Sequence, residues 1–153
     1  NPTTARVKPS KTMQLTQFTD YSLRMLIYLA RLPEGKIATL AEIAEFHNIS
    51  RNHLVKVAVT LTREGYIMTT RGKSGGMQLA RPAHTISLGE LIRKTEQNMI
   101  LVECFDPPNN RCRLSRGCFL KSALYEAQLA FISVLDKHTL AEASGMTLEP
   151  TDD

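Results

Sequence analysis

Apolar residues recur every three or four positions in three successive stretches of the first 65 residues, which is the spacing of one buried helix face. The pattern predicts a first helix from Thr16 that ends before the turn-forming segment Pro33-Glu34-Gly35. A second helix is predicted from Thr39 to about His47, because Thr39 and Glu42 form a capping-box pattern.

The second and third predicted helices are separated by a three-residue turn. Asn48 suits a left-handed turn conformation, Ile49 suits packing beneath it, and Ser50 suits the cap of a third helix that ends at Gly65. Two short helices joined in this way form a helix-turn-helix. Its apolar positions form one seam that we expect to be buried: Leu40, Ile43, Ala44, Ile49, Leu54, Val57, Ala58 and Leu61.

The segment after the third helix predicts a β-hairpin. Two short strands, Tyr66–Thr70 and Met77–Leu79, flank the sequence RGKSGG, whose glycines permit a tight reversal. Ser87 and Glu90 form a second capping-box pattern, which predicts a short helix through about Thr95. The predicted fold is therefore mostly α-helical with a small β-hairpin wing, a winged helix-turn-helix.

An unbroken helical pattern from Cys118 to His138 predicts one long amphipathic helix. Its apolar stripe is narrow, which suits pairing with another helix. Since a small domain offers such a helix little else to pack against, the pattern favours a homodimer over packing within one chain. The stripe consists of Leu120, Leu124, Ala127, Phe131, Leu135 and His138.

These elements divide the chain into segments of different predicted character. Residues 1–12 are polar and precede Met13, so they predict a disordered extension or a cloning remnant. No apolar run approaches the roughly 18 to 20 residues of a membrane-spanning helix, and we expect a cytoplasmic protein. The remaining segments are the winged DNA-binding domain at 13–83, a connecting helix and cysteine loop at 84–117, the dimerisation helix at 118–139 and a C-terminal tail at 140–153.

Charge is distributed unevenly between the two halves of the chain. Residues 1–94 carry 14 Lys and Arg against 6 Asp and Glu, whereas residues 95–153 carry 5 against 9. A basic first half indicates a unit that binds a polyanion, although a merely solvated basic surface is the alternative.

The third predicted helix carries the side chains that suit reading of duplex DNA. Arg51 can form two hydrogen bonds with guanine, Asn52 can donate to and accept from adenine, and Lys56 can neutralise a phosphate. A two-fold dimer on half-sites about 34 Å apart predicts a roughly palindromic operator. The further candidate contacts are His53 on the helix and Arg71 and Lys73 on the wing, where the alternative for Lys73 is to keep an exposed turn soluble.

Three cysteines follow the connecting helix, with seven residues between Cys104 and Cys112 and five between Cys112 and Cys118. Such thiols can hold an iron-sulfur cluster or zinc, or can act as redox thiols without a metal. Zinc knuckles favour shorter gaps, and no histidine lies among these cysteines. Arginines around the thiols favour their anionic form, which favours the cluster while leaving the alternatives open.

Over residues 13–143 the chain resembles the winged-helix iron-sulfur transcription regulators. The matching segments are MQLTQFTDYSLRMLIYLA, ISRNHLVKV, TTRGKSGGMQLARP and the cysteine loop leading into CFLKSALYEAQLAFISVLDKHTL. The resemblance implies a DNA-binding repressor, not an enzyme, that works as a homodimer. It also implies that Cys104, Cys112 and Cys118 ligate one 4Fe-4S cluster in each subunit.

Within that family the chain is most similar to the repressors that sense nitric oxide. Those proteins take a fourth ligand from an aspartate in the first helix of the partner subunit, and the FTD motif puts Asp20 at that place. A structural alternative for Asp20 is a favourable interaction with the helix dipole. Lys121 stands where the IscR branch has a histidine, which disfavours that ligation.

Two other functions are carried as alternatives. The gap between Cys104 and Cys112 is closer to the pattern of the RirA branch, which implies an iron-responsive repressor. From another class, a metal or redox-thiol protein would bind DNA only nonspecifically, and its affinity would fall with salt without preferring any sequence.

Overall fold

The computed structural model describes residues 13–114 and 116–145. Over these residues the chain forms six α-helices and one two-stranded antiparallel hairpin. None of the described helices is long and apolar enough to cross a membrane. The elements are α1 (Gln17–Ala30), α2 (Leu40–His47), α3 (Arg51–Arg63), β1 (Ile67–Thr70), β2 (Gly76–Leu79), α4 (Leu88–Thr95), α5 (Phe119–Asp136) and α6 (Leu140–Ala143).

The predicted helix-turn-helix is confirmed, together with its caps. Thr39 and Glu42 form the complete capping box of α2, in which each side chain bonds the backbone N–H of the other residue. Asn48 adopts the left-handed conformation, with φ 52°, and ends α2. Ser50 then caps α3 by accepting a hydrogen bond from the backbone N–H of His53 at 3.3 Å.

One apolar core holds these helices together. Met25 and Leu26 of α1 are completely buried, as are Leu54 and Leu61 of α3. Burying each such side chain contributes roughly 1.5 to 3 kcal/mol. The predicted seam is confirmed at six buried positions, whereas Leu40 and Ala58 are half-buried at its edge: the six are Ile43, Ala44, Ile49, Leu54, Val57 and Leu61.

The predicted wing is confirmed as a hairpin whose strands pair from Ile67 with Leu79 to Thr70 with Gly76. Gly72 has φ 110°, which favours glycine at the reversal. Ala38, just before α2, extends the sheet by exchanging two backbone hydrogen bonds with Met77, at 2.9 and 2.7 Å. The hairpin is therefore tied to the body of the domain along β2.

Ser87 is the N-cap of helix α4, and its hydroxyl accepts a hydrogen bond from the backbone N–H of Glu90. The second half of the predicted capping box is wrong, because the Glu90 carboxylate turns to Tyr66 and Arg81 instead. Both of those partners lie at the base of the wing, and they offer the carboxylate a hydroxyl and a charged guanidinium in place of one backbone N–H.

The long helix α5 packs on α4, and most of its residues are exposed. Ile132 is its single buried residue. Arg93 of α4 forms a two-bonded ion pair with Asp136 of α5, with Nη1 at 2.7 Å from Oδ1 and Nη2 at 2.5 Å from Oδ2. Gly89 allows this close approach, since a Cβ there would meet Asp136.

The residues after α5 return to the core, a feature that the prediction of a tail from residue 140 did not include. Thr139 and Glu142 form a capping box for the short helix α6. Leu140 and Ala141 are buried, and the Leu140 amide donates to Ile86 O at 2.8 Å. Residues 146–153 of that predicted tail and residues 1–12, predicted as an extension, lie outside the described residues.

Candidate functional site

The N-terminal half of α3 presents the side chains predicted to read DNA. Arg51, Asn52, His53 and Lys56 are all exposed. The buried residues of α3, led by Leu54, lie on its opposite side and hold it against the core. One side of α3 can therefore present polar and cationic groups to a ligand while the other side stays packed against the core.

The acidic residue just past the end of α3 is neutralised by nearby cations. The first turn of α3 carries no acidic residue. Glu64, just past its end, pairs with Lys94 at 3.2 Å and with Arg63 at 3.4 Å. The hydrogen bond from Lys94 is the main reason that the pKa of Glu64 is lowered. The exposed face of α3 is therefore suited to an anionic partner.

The wing carries the two other predicted contacts at its tip. Arg71 and Lys73 are exposed on the reversal between β1 and β2. Because β1 starts four residues after α3 ends, the wing and α3 are covalent neighbours and pack on each other. An exposed basic tip of this kind suits phosphate or minor-groove contact.

A hydrogen-bonded group at the base fixes the wing on α4. The Tyr66 hydroxyl donates to Glu90 Oε1 at 2.7 Å, and Arg81 Nη2 lies 2.7 Å from the same oxygen. The Arg81 guanidinium also lies over the Tyr66 ring, 4.9 Å from its centroid. The hydrogen bond from Tyr66 is the main cause of a lowered pKa at Glu90, while burial and Glu90 raise the pKa of Tyr66.

The three cysteines lie along a loop of short turns between α4 and α5, and none forms a disulfide. Cys104 is half-buried in the turn Glu103–Phe105, and Cys112 is exposed. Cys118 is half-buried and is the N-cap of α5, where the helix dipole favours a negative group. The sequence predicted α5 but did not predict that Cys118 is its N-cap.

Local contacts shape that loop. The Asn110 side-chain oxygen accepts from the Cys112 amide at 2.9 Å, and Glu103 accepts from the Arg111 amide. The Phe105 ring meets the Tyr125 ring of α5 edge-on, with centroids 6.1 Å apart. The loop is therefore anchored on the first half of α5.

The three cysteine thiols are of the right chemical type to bind an iron-sulfur cluster. In the described residues, however, they are not brought together into a metal site. No group of three His, Cys, Asp or Glu side chains in residues 13–114 and 116–145 is close enough to hold a metal ion. Three thiols in one loop are the donors such clusters use. Arg111, Arg113 and Arg116 are exposed around them and suit an anionic cluster.

Asp20 lies in the first turn of α1 and is engaged within its own chain. Its carboxylate pairs with Arg24, with Oδ2 at 2.9 Å from Nη2 and Oδ1 at 3.1 Å from Nε. Both side chains are nearly half exposed, so the pair contributes only a few tenths of a kcal/mol. Asp20 opens onto a cleft that Tyr21 and His47 also line. In this chain Asp20 and the cysteines are separate sites.

Comparison with known proteins assigns most of the chain to one family. A family model named Rrf2, described as an iron-dependent transcriptional regulator, matches residues 15–144. The HTH-type transcriptional regulator NsrR of Bacillus subtilis is 48% identical over 130 residues, which cover 85% of this chain and 89% of that protein. NsrR of Shouchella clausii is 44% identical over 130 residues, covering 85% of this chain and 87% of that protein.

Solved structures agree with the fold. The oxidized form of Staphylococcus aureus CymR superposes with a TM-score of 0.71 at 29% identity, covering 92% of this chain and all of that chain. CymR of B. subtilis, named the global cysteine regulator, superposes with a TM-score of 0.73 at 26% identity, covering 89% and 99%. The predicted winged fold and the predicted class, a DNA-binding regulator rather than an enzyme, are thereby confirmed. The chain belongs to the Rrf2 family of transcriptional regulators.

Proposed function

We propose that this chain is a homodimeric repressor that binds a palindromic operator while it holds a 4Fe-4S cluster in each subunit, and that nitric oxide is its signal. The observation that carries the proposal is the pairing, in one chain, of an exposed cationic face on α3 with three thiols that lead into α5. NsrR proteins are the nitric-oxide-sensing repressors that the sequence resembles, so the identity to them supports the choice of nitric oxide. The proposed cluster ligands are Cys104, Cys112, Cys118 and Asp20 of the partner subunit.

Operator binding would place α3 in the major groove and the wing against the backbone. Asn52 would contact adenine and Arg51 guanine, since each offers two hydrogen bonds in the geometry of those bases. Lys56 would contact a phosphate. The remaining proposed contacts are His53 on α3 and Arg71 and Lys73 on the wing.

The exposed surface of α5 supports a dimer. Phe119 is 86% exposed and Leu120 is 63% exposed, and Tyr125, Leu129 and Val134 are more than half exposed. An apolar surface of this kind on a long helix marks a protein interface. A second copy of α5 would bury it and would set the separation of the two α3 helices.

The proposed ligand role of Asp20 requires it to leave Arg24. When bound, the cluster supplies iron atoms with which nitric oxide reacts. Asp20 then has two alternative partners, an iron of the partner subunit's cluster or Arg24 of its own helix. Because α1 packs on α3, a change at Asp20 acts on the helix that contacts DNA.

Helix α4 offers a second connection between the cysteine loop and the DNA-binding elements. Its three charged side chains and that of its C-cap, Glu96, each bond a different part of the chain, and the cysteine loop follows α4. We call these bonds the α4 network. They join Glu90 to Tyr66 and Arg81 at the wing, Arg93 to Asp136 of α5, Lys94 to Glu64 after α3, and Glu96 to Thr16 before α1. A coupling of about 1 to 3 kcal/mol between cluster and operator suffices for a switch.

An iron-responsive repressor is the second candidate. The seven residues between Cys104 and Cys112 favour it, and the family is described as iron-dependent. Both candidates share the cluster and the operator, and they differ only in the event that removes the cluster.

The deciding experiment is anaerobic purification with iron and sulfide analysis, followed by titration of nitric oxide against operator binding. We expect about four irons per subunit and loss of specific binding as nitric oxide is added. Loss on iron chelation without a response to nitric oxide would select the iron-responsive candidate. A colourless protein with stoichiometric zinc would overturn both, as would an operator affinity that does not change when the cluster is lost.

A further inference from the structure

Two valines stand on the solvent side of the recognition helix α3. Val55 is 46% exposed and Val59 is 61% exposed. The spacing of 3.6 residues per turn puts both on the side of α3 that carries Asn52 and Lys56, opposite the buried Leu54. They therefore lie on the surface that the proposed function turns toward the operator.

The fold gives no reason for valine at these two positions. Neither side chain belongs to the buried core or to the apolar residues packed against it. A β-branched residue also favours a helix less than alanine does, because the helix restricts its side-chain rotation. An apolar pair that costs helix stability and adds nothing to the core points to a contact with a ligand.

The charges around the pair identify the ligand class. Arg51, Lys56 and Arg63 are exposed on α3, and the nearby acid Glu64 is paired with Lys94 and Arg63. Such a surface suits a polyanion that also presents small apolar groups. The major groove of DNA does so, since its base edges carry one such group, the C5-methyl of thymine.

We propose that Val55 and Val59 read thymine methyl groups in the major groove, and that they act with Asn52 to favour A·T pairs in each half-site. This inference rests on the proposed function. The two valines are one helical turn apart, a rise of about 6 Å. Base pairs are about 3.4 Å apart along the DNA axis, so the methyl groups that the valines contact lie on adjacent base pairs or about two steps apart, according to the tilt of α3 in the groove.

The test replaces single thymines by deoxyuridine, which removes the methyl group and keeps base pairing. The preferred duplex is first selected from random sequences with the full-length, cluster-loaded dimer. Each thymine of the half-site is then exchanged in turn, and affinities are measured at fixed salt. We expect about a fourfold loss for each contacted methyl in one half-site, and about a fifteenfold loss when both half-sites are changed.

Val55→Ala and Val59→Ala assign the contacts. Each should bind the thymine duplex more weakly and should no longer distinguish thymine from deoxyuridine at one position. Alanine is the better helix former, so thermal unfolding should not occur at a lower temperature. Lys56→Ala is the matched control, because losing a phosphate contact weakens all duplexes alike and leaves the thymine-to-deoxyuridine ratio unchanged.

The outcomes separate this inference from the function on which it rests. If a duplex is preferred but every deoxyuridine exchange is silent, the inference is overturned and the repressor stands. If the valine variants change the mass of the dimer rather than base discrimination, the pair belongs to a protein interface and the inference is again overturned. If no duplex is preferred over random sequence, the proposed function is wrong and the inference falls with it.

Discussion

The winged domain and the cysteine loop are built in different ways. The winged domain has a continuous buried core, and its helices begin at side-chain caps such as Thr39 and Ser50. The loop between α4 and α5 consists of short turns held by local contacts, among them Asn110 with the amide of Cys112. The DNA-reading half thus derives its shape from its own packing, whereas the loop has room to take its shape from a ligand.

The largest expected difference between the two regions is in folding stability. Leu54→Ala removes a completely buried side chain and should lower the free energy of unfolding by about 2 to 5 kcal/mol. Leu114→Ala is the matched control in the loop, where leucine is 72% exposed, and it should change stability by less than about 0.5 kcal/mol. Urea denaturation monitored by circular dichroism measures both. Equal losses would contradict the division into a packed half and a loop.

Replacing a cysteine should have a large effect on cofactor and DNA binding and a small effect on folding stability. Cys118→Ser should abolish iron retention and weaken specific operator binding about 5- to 150-fold, while the free energy of unfolding of the metal-free protein stays within about 0.5 kcal/mol. Iron analysis, operator binding and urea denaturation check these three quantities. Ser122→Ala, one turn along α5 and also exposed, is the control and should leave all three unchanged.

The accuracy of the sequence-based predictions follows the same division. The helix-turn-helix was predictable because its caps and periodic apolar positions are local features that its packing reinforces. Glu90 was predicted to complete a capping box, but it bonds Tyr66, which is 24 positions away in sequence. Helix α6 was missed because four residues are too few for a periodic pattern, and its stability comes from burying Leu140.

The sequence likewise allowed only part of the candidate site to be predicted. Exposure of Asn52 and Lys56 follows from the helical period once Leu54 is assigned to the core, so the face of α3 was predictable. Val55 and Val59 were passed over because exposed apolar residues carry no chemical motif, and their exposure becomes informative only when the core is known. Sequence spacing does not encode how the three cysteines are arranged in space, and the described residues do not bring three metal-binding side chains together.

A medium effect is expected where the wing meets α4. Glu90→Gln should lower the free energy of unfolding at pH 7 by about 1 kcal/mol, since it weakens the bonds to Tyr66 and Arg81 in a partly solvated place. The folded-state pKa of Glu90 is lowered, mainly by the Tyr66 hydroxyl. Its contribution is therefore full above the unfolded pKa of about 4.5 and is lost as the pH falls below it. Urea denaturation at pH 7 and pH 4 should show a smaller acid-induced loss in the variant than in the wild type.

Glu126→Gln is the matched control on α5, because it changes the same atoms at an exposed position. It should alter stability at pH 7 by less than about 0.5 kcal/mol. A variant at Glu90 that is as stable as this control would show that the wing is not fixed through α4, and coupling through the α4 network would lose its support.

The smallest effect on stability is expected at Asp20. Asp20→Ala should change the free energy of unfolding by less than about 0.5 kcal/mol, because the pair with Arg24 is exposed. It should nevertheless speed loss of the cluster, which visible absorbance under anaerobic conditions measures. A residue that matters little to the fold and much to the cofactor is what a ligand from the partner subunit requires.

Arg24→Ala tests the competition directly, since it frees Asp20 from its partner in α1 without touching the carboxylate. If Asp20 exchanges between Arg24 and iron, this variant should retain the cluster longer than the wild type, opposite in sign to Asp20→Ala. Mixed dimers in which one subunit carries Asp20→Ala and the other Cys118→Ser then assign the ligand to a subunit. In such a dimer the only intact cysteine set is on the subunit that lacks Asp20, so a ligand from the partner predicts one cluster of wild-type stability, and a ligand from the same chain predicts one labile cluster.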